Sequence, residues 1–193
     1  RGRGRWPTRW HMALRSAGVW PLEAPATRAR ARAAPPVRWW TVLSREHWLI
    51  VALAGIALAA HAVNMLEFVP IASKDDEGIY TAQAWAVLRE FRLAPYTYWY
   101  DHAPAGWILL AVWMKLTGGP LAFGQALDSG RVLMLVLHVA SVVLLYRAAR
   151  KLGCGAGAAA IGCFVFSVSP LAVFYTRLVL LDNIMVFWTL LSL

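Results

Sequence analysis

Long apolar runs dominate this sequence and constrain its fold more than any other feature. The first run, WLIVALAGIALAAHAVNML (Trp48–Leu66), is close to the length of about 20 residues that crosses a roughly 30 Å bilayer core as a helix. In the whole chain 60% of the residues are hydrophobic and only 15% are charged, which is too little charge for the surface of a soluble domain. We therefore predict an all-α, multi-pass transmembrane helical protein with spans at about 48–68, 129–148, 155–175 and 184–193, the last one incomplete.

Positive charge is concentrated near the N-terminus. Of the 19 Lys and Arg residues, ten are Arg within the first 45 positions, and the formal net charge is +9. Such a segment could bind nucleic acid or acidic lipid, but ahead of an apolar run it is typical of an end that stays in the cytoplasm. We favour the second interpretation and expect residues 1–46 to form a basic, disordered cytoplasmic tail with no nucleic-acid partner.

Charge placement also predicts which side each connection faces. The second long run ends in RAARKLG, and basic clusters of this kind mark the cytoplasmic side. Residues 47–193 would then cross the plasma membrane repeatedly, with about 70–128 as one long external loop. Apolar periodicity and length predict two juxtamembrane helices in that loop, over 78–91 and 106–117. This topology places KDDE, YDHAP and YTRLVLLD on the same non-cytoplasmic face.

Three adjacent carboxylates, Asp75, Asp76 and Glu77, lie at the start of the first juxtamembrane helix. Carboxylates at a helix N-terminus can cap free amides and are favoured by the helix dipole, which is a purely structural role. Adjacent acids also repel one another, which favours proton acceptance by one of them, and together they could bind a cation or orient a phosphate. The residues alone leave both interpretations open.

A further acid, Asp182, lies between the apolar segments RLVLL and NIMVFW. An acid in such surroundings is costly in lipid and indicates function. Arg177, five residues earlier, either forms a structural ion pair with Asp182 at the helix end or holds a phosphate that Asp182 orients.

Aromatic side chains surround Asp101 and His102 in the segment YTYWYDHAPAGW. Tyr and Trp are routine at membrane interfaces, and their rings also stack on sugars. His102 alone is weak evidence for a site, because most such residues simply form local hydrogen bonds.

Taken in order, DDEGIYTAQAWAV, YDHAPAGWILLAVWMKLTG, RVLMLVLHVASVVLLYRAARKLG and SPLAVFYTRLVLLDN resemble segments of the C-type superfamily of membrane glycosyltransferases. The resemblance is greatest to the branch that holds the protein O-mannosyltransferases and the bacterial aminoarabinose transferases, and it runs from about Trp48 to Leu193. Those enzymes carry an Asp-Glu pair in the first external loop, a His-Pro element that opens a juxtamembrane helix, and an Arg shortly before LLD.

By this resemblance the catalytic Asp of the family falls on Asp76, with Glu77 as its partner and Asp75 as an alternative register for the base. Such enzymes take a sugar from a polyprenyl- or dolichyl-phosphate, and an acceptor hydroxyl attacks the anomeric carbon with inversion. The implied role of Asp76 is to accept the hydroxyl proton. Lys74 and Tyr80, on either side of the acidic cluster, are further candidates for substrate binding.

The other two elements supply implied binding residues. His102 and Pro104 correspond to the His-Pro element, although Ala103 stands where the family usually has Pro. Arg177 would lie against the phosphate of the leaving lipid, and Asp182 would position Arg177 or a divalent cation. The resemblance leaves open the sugar, any cation, and the acceptor, which could be a protein, a lipid or a glycan.

We therefore expect the N-terminal part of a lipid-phosphate-sugar-dependent glycosyltransferase, with further spans beyond Leu193 that activity would require. Two other interpretations stay open. In a transporter, Arg177 and Asp182 would line a pathway, but its acids would be expected near the membrane midplane instead of at one face. The second is a non-catalytic membrane scaffold or a degenerate relative of these enzymes. Ala103, which stands where the family usually has Pro, favours this interpretation.

Overall fold

The computed structural model describes residues 45–67, 74–95 and 102–193, apart from the side chains of Lys74 and Asp75. All regular secondary structure within these ranges is α-helical, as predicted. The helices are α1 (Arg45–Ala62), α2 (Lys74–Glu90), α3 (Ala105–Leu116), α4 (Ala126–Lys151), α5 (Ala156–Val168), α6 (Pro170–Thr176) and α7 (Leu181–Leu191). Nearly all of the predicted basic tail lies outside the described residues, as does Asp101.

Helix α4 is the centre of the bundle and contacts each of the other six described helices. Apolar residues occur on more than one of its faces, so it contributes to two separate cores. The N-terminal half of α4 packs against α2, α3 and α7, with Met134 and Trp107 fully buried between them. The C-terminal half packs against α1 and α5 through Val142, Leu53 and Cys163.

Contacts between α1 and α4 define two ends of the bundle. At the basic end, which comprises the first turn of α1 and the last turns of α4, Arg150 Nε donates to Glu46 Oε1 over 2.7 Å. At the site end, which comprises the residues after α1, the start of α4 and residues 177–182, Arg131 Nη1 donates to the Met65 carbonyl over 3.4 Å. Helices α1 and α4 are therefore antiparallel.

The later helices continue this alternation of direction. His61 Nε2, near the end of α1, donates to the Ser167 carbonyl near the end of α5 over 2.9 Å, so α1 and α5 run the same way. Lys151 Nζ, at the end of α4, donates to the Leu193 carbonyl over 3.4 Å, which brings the ends of α4 and α7 together. The four apolar runs thus alternate in direction within the bundle.

Membrane-spanning capacity is clear for fewer helices than predicted. Among the described helices only α4 is by itself long and apolar enough to cross a membrane, and α5 and α6 qualify if they are taken together. Helices α3 and α7 are apolar but shorter. Helix α1 has 18 residues, yet it begins with Arg45, Glu46 and His47, which shortens its apolar part. The helical architecture is established, while the multi-pass topology stays a prediction.

The predicted third span, 155–175, is not one continuous helix. Helices α5 and α6 meet at a 61° bend around Ser169, whose backbone is extended at φ −63° and ψ 136°. Pro170 causes this break, because proline lacks an amide hydrogen and disfavours helical geometry in the residue before it. The Ser169 hydroxyl instead caps α6 by accepting a hydrogen bond from the Ala172 amide over 3.1 Å.

The predicted first span, 48–68, is too long, since α1 ends at Ala62. Asn64 adopts a positive φ of 52°, a left-handed conformation that terminates helices and that Asn tolerates better than most residues.

Helices are present at both positions where juxtamembrane helices were predicted. Helix α3 lies within one residue of its predicted bounds, whereas α2 begins at Lys74 instead of Gly78. Asp76 and Glu77 therefore lie inside the first turns of α2 instead of ahead of it.

We expect Gly130→Ala to destabilise the protein. A Cβ atom at this position would lie 2.7 Å from Val179 Cγ2, so α4 and the segment before α7 would have to separate. Overpacking of this kind costs about 1–3 kcal/mol and should lower the Tm of the purified protein. Gly55→Ala is the matched control, because a Cβ atom there meets nothing within 4 Å and helix propensity favours Ala. Wild-type melting of Gly130→Ala would contradict this close packing.

Candidate functional site

Glu77 is at the centre of the site end and is 1% exposed. Its Oε1 accepts hydrogen bonds from Arg131 Nε over 3.2 Å and from the Val179 amide over 2.9 Å. Its Oε2 accepts from Arg131 Nη2 over 3.1 Å. Arg131 also donates from Nη1 to the Met65 and Leu66 carbonyls, over 3.4 and 3.5 Å. One buried ion pair therefore joins α2, α4, the end of the α1 segment and the segment before α7.

Local sequence explains why these groups meet. Glu77 shares one face of α2 with the buried residues Tyr80, Thr81 and Ala84, because residues three, four and seven positions apart lie together on a helix. Gly130 has no side chain, which lets Val179 approach α4 closely enough for its amide to reach Glu77.

The predicted base, Asp76, is in a different environment from its predicted partner. Asp76 is exposed, while Glu77 is buried, because adjacent helix positions point about 100° apart. The carboxylate of Glu77 is occupied by Arg131 and Val179, so its observed role is to hold the fold together. Lys74 and Asp75 lie in the first turn of α2, but their side chains lie outside the described part of the chain. The assignment of Asp76 as the base stays a prediction.

Arg177 does not form the ion pair with Asp182 that was one of its two interpretations. Its Nη2 instead donates to the Ala60 carbonyl over 2.8 Å, which fixes the end of α6 against the end of α1. Burial lowers the pKa of the Arg177 guanidinium, although an Arg pKa starts so high that the group stays charged at neutral pH.

Asp182 is exposed in the first turn of α7. This position suits a carboxylate because the helix dipole and free amides favour negative charge there. Asp182 is therefore a solvent-accessible acid at the site end, and not one buried in an apolar environment.

A pocket of about 360 Å³ lies between the start of α3 and one face of α7. Gly106 makes this junction tight, since a Cβ atom there would lie 2.7 Å from Leu181 Cδ2. Two of the predicted site residues, His102 and Asp182, line the pocket together. The rest of its lining is mainly apolar and comprises Ala103, Ala105, Gly106, Leu181, Ile184, Met185, Trp188 and Thr189.

Tyr80 connects the acidic helix to this pocket. Its hydroxyl lies 3.4 Å from His102 Nε2, and the two rings are in edge contact with centroids 5.4 Å apart. The three segments predicted to share one face are thus in contact with one another: α2 touches the segment at 102 through Tyr80 and the segment at 179 through Glu77.

Sequence reasoning missed Arg131. It stands 54 positions after Glu77, at the start of an apolar run, where a basic residue has an ordinary explanation as a helix-end charge. The one available signal in the sequence was that Arg131 begins an apolar run whose other end carries the basic cluster RAARKLG.

A second missed feature is a pair of histidines whose rings are in close, tilted contact. The rings of His61 and His138 have centroids 3.8 Å apart, and both residues are buried. His61 donates to the Ser167 carbonyl on one side of the α5–α6 bend and shares a 2.7 Å hydrogen bond through Nδ1 with the Thr176 hydroxyl on the other. This histidine therefore braces the bend that leads to Arg177 and Asp182.

Comparison with protein-family models, with curated proteins and with solved structures found no match for this chain. Within the residues that the structure describes, no group of three or more His, Cys, Asp or Glu side chains is arranged to hold a metal ion. The site is therefore interpreted from its own geometry.

We expect Glu77→Ala to be strongly destabilising, by about 3–5 kcal/mol, because it leaves the buried Arg131 without its counter-charge. The free energy of unfolding of the purified protein checks this. Combining Glu77→Leu with Arg131→Met should recover part of the loss, since an apolar pair removes the buried charge altogether.

Glu90→Ala is the control for this measurement. This substitution breaks the ion pair between Glu90, which is 53% exposed, and Arg92, which is 71% exposed. Because both side chains are exposed, the free energy of unfolding should fall by no more than about 1 kcal/mol. Equal losses for Glu77→Ala and Glu90→Ala would contradict a special role for the buried pair.

Proposed function

We propose that this chain is the N-terminal part of a membrane glycosyltransferase that moves a sugar from a polyprenyl-phosphate donor to an acceptor hydroxyl. In this proposal the N-terminus is cytoplasmic and the site end faces the non-cytoplasmic side of the plasma membrane. The single observation that carries the proposal is the meeting of three distant segments at one end of the bundle. Tyr80 contacts His102, Glu77 binds the Val179 amide, and His102 and Asp182 line one pocket.

The shape and lining of the pocket support an amphiphilic donor. Leu181, Ile184, Met185 and Trp188 recur at helical spacing along one face of α7 and provide an apolar wall. His102 and Asp182 provide polar groups at one end of that wall. A lipid chain would lie along α7, and the phosphate and sugar would lie at the polar end.

The proposed transfer needs a base and a positive charge. As the acceptor oxygen bonds to the anomeric carbon, its proton passes to Asp76 and the bond between that carbon and the phosphate oxygen breaks. The lipid phosphate leaves with the electron pair, and the charged Arg177 guanidinium would stabilise it. Asp182 is the alternative base, because it is exposed and lies in the pocket itself.

Exposed apolar side chains support the membrane part of the proposal. Trp48, Ile161, Leu171 and Met185 are 62%, 66%, 70% and 60% exposed and come from four different helices. Large exposed apolar surface of this kind is unusual for a soluble monomer and suits contact with lipid.

A non-catalytic membrane protein is the second candidate. One specific observation favours it, namely that Glu77 is fully engaged by Arg131 and Val179. In that case the acidic cluster would resemble that of the glycosyltransferases because it holds the helices together in the same way. It would have no catalytic role.

We expect the full-length gene product, in membranes, to transfer radiolabelled sugar from a polyprenyl-phosphate donor. Asp76→Asn should lower the transfer rate ~100-fold or more, because a general base contributes at least about that factor. Asp182→Asn, measured in parallel, distinguishes the alternative base. Glu90→Gln is the control, since Glu90 is exposed and pairs only with the exposed Arg92 among the described residues. Wild-type turnover in both Asp variants, and in Asp75→Asn as well, would exclude the proposed chemistry.

A further inference from the structure

We propose that the basic end of the bundle holds a binding site for the phosphate of an anionic phospholipid. The proposal rests on the membrane placement argued above but not on sugar transfer. It concerns the end of α4 opposite to the pocket and to the acidic cluster.

The candidate site is an open groove of about 460 Å³ between the first turn of α1 and the last turns of α4. Helix α1 contributes Glu46, His47 and Ile50 to its lining, and α4 contributes Tyr146, Arg147, Arg150 and Lys151. Because α1 and α4 are antiparallel, these residues meet although about 100 positions separate them.

The negative charge in the groove, Glu46, is already neutralised. Its Oε1 accepts from Arg150 Nε over 2.7 Å and from the Tyr146 hydroxyl over 3.1 Å. The hydrogen bond from Arg150 holds the pKa of Glu46 below its usual value, and the same contact raises the pKa of Arg150. Arg150 also donates from Nη1 to the Cys154 carbonyl over 2.6 Å.

Two cations of the groove have no Asp or Glu partner among the described residues. Arg147 and Lys151 are both exposed and stand four positions apart on α4, which places them on one face about one helical turn apart. Lys151 Nζ also donates to an oxygen of Leu193 over 3.4 Å. Two cations at this separation can bind one phosphate group from both sides.

An apolar stripe leads away from the groove along α1. Trp48, Val51 and Leu58 are 62%, 59% and 48% exposed and recur at helical spacing, with Gly55 between the last two. A free phosphate would use only the cations, whereas a phospholipid would use the cations for its headgroup and the stripe for its acyl chains. The predicted cytoplasmic orientation of this end also suits anionic lipid, which is concentrated in the cytoplasmic leaflet.

The test uses the full-length protein purified in a neutral detergent, with phosphatidylglycerol, phosphatidylcholine or inorganic phosphate added. Lipid binding is read by native mass spectrometry and by the Tm. We expect phosphatidylglycerol alone to bind and to raise the Tm. In the double variant R147Q/K151Q its apparent affinity should fall roughly 30-fold, because each basic residue near an anionic surface contributes about a factor of five.

The matched control is R89Q/R92Q, which removes two exposed positive charges from the end of α2. Residues 1–44 carry nine further Arg, so the measure is the difference between the two double variants and not absolute binding. Equal loss in both variants, equal binding of phosphatidylcholine, or equal stabilisation by inorganic phosphate would each overturn the proposal. Sugar transfer by R147Q/K151Q, assayed in parallel, separates this outcome from failure of the proposed function, since neither residue lies at the site end.

Discussion

The buried ion pair between Glu77 and Arg131 is the interaction on which the site end depends. A buried pair is tolerated only when its remaining hydrogen-bonding groups are satisfied, and here the Val179 amide and the Met65 and Leu66 carbonyls do so. Together with Glu77 and Arg131, these partners come from four separate parts of the chain. The positions of α2 and of the segment that leads into α7 therefore follow from one set of charge-assisted hydrogen bonds.

Much of the helical architecture could be predicted from sequence, because apolar runs and helical spacing report directly on burial. The positions of α3 and α4 are of this kind, whereas the alternation in direction followed from the placement of charge. The bend at Ser169 could also have been predicted, because Pro170 interrupts the apolar run. The contacts that build the site were not readable: the partner of Glu77 lies 54 positions away, and Arg177 donates to a backbone carbonyl, which any residue could supply.

The two ends of α4 differ in chemistry. At the site end, Asp182 and His102 are the charged or titratable residues that line a mainly apolar pocket. At the basic end, cations outnumber carboxylates around an open groove. This difference suits a protein that handles an amphiphilic substrate at one membrane face while anionic lipid holds it at the other. His61, whose ring contacts that of His138, braces the bend that leads to the site.

The central claim is that the site end faces the non-cytoplasmic side of a membrane and the basic end the cytoplasm. Labelling of intact cells with a membrane-impermeant maleimide tests it most directly. Native Cys154 is an exposed thiol just beyond the basic end, and the other cysteine, Cys163, is buried. Leu121, which is 60% exposed ahead of α4, can carry a thiol near the site end as Leu121→Cys in a Cys154→Ser background. The account predicts labelling of Leu121→Cys from outside and of Cys154 only after permeabilisation; the reverse pattern would contradict it.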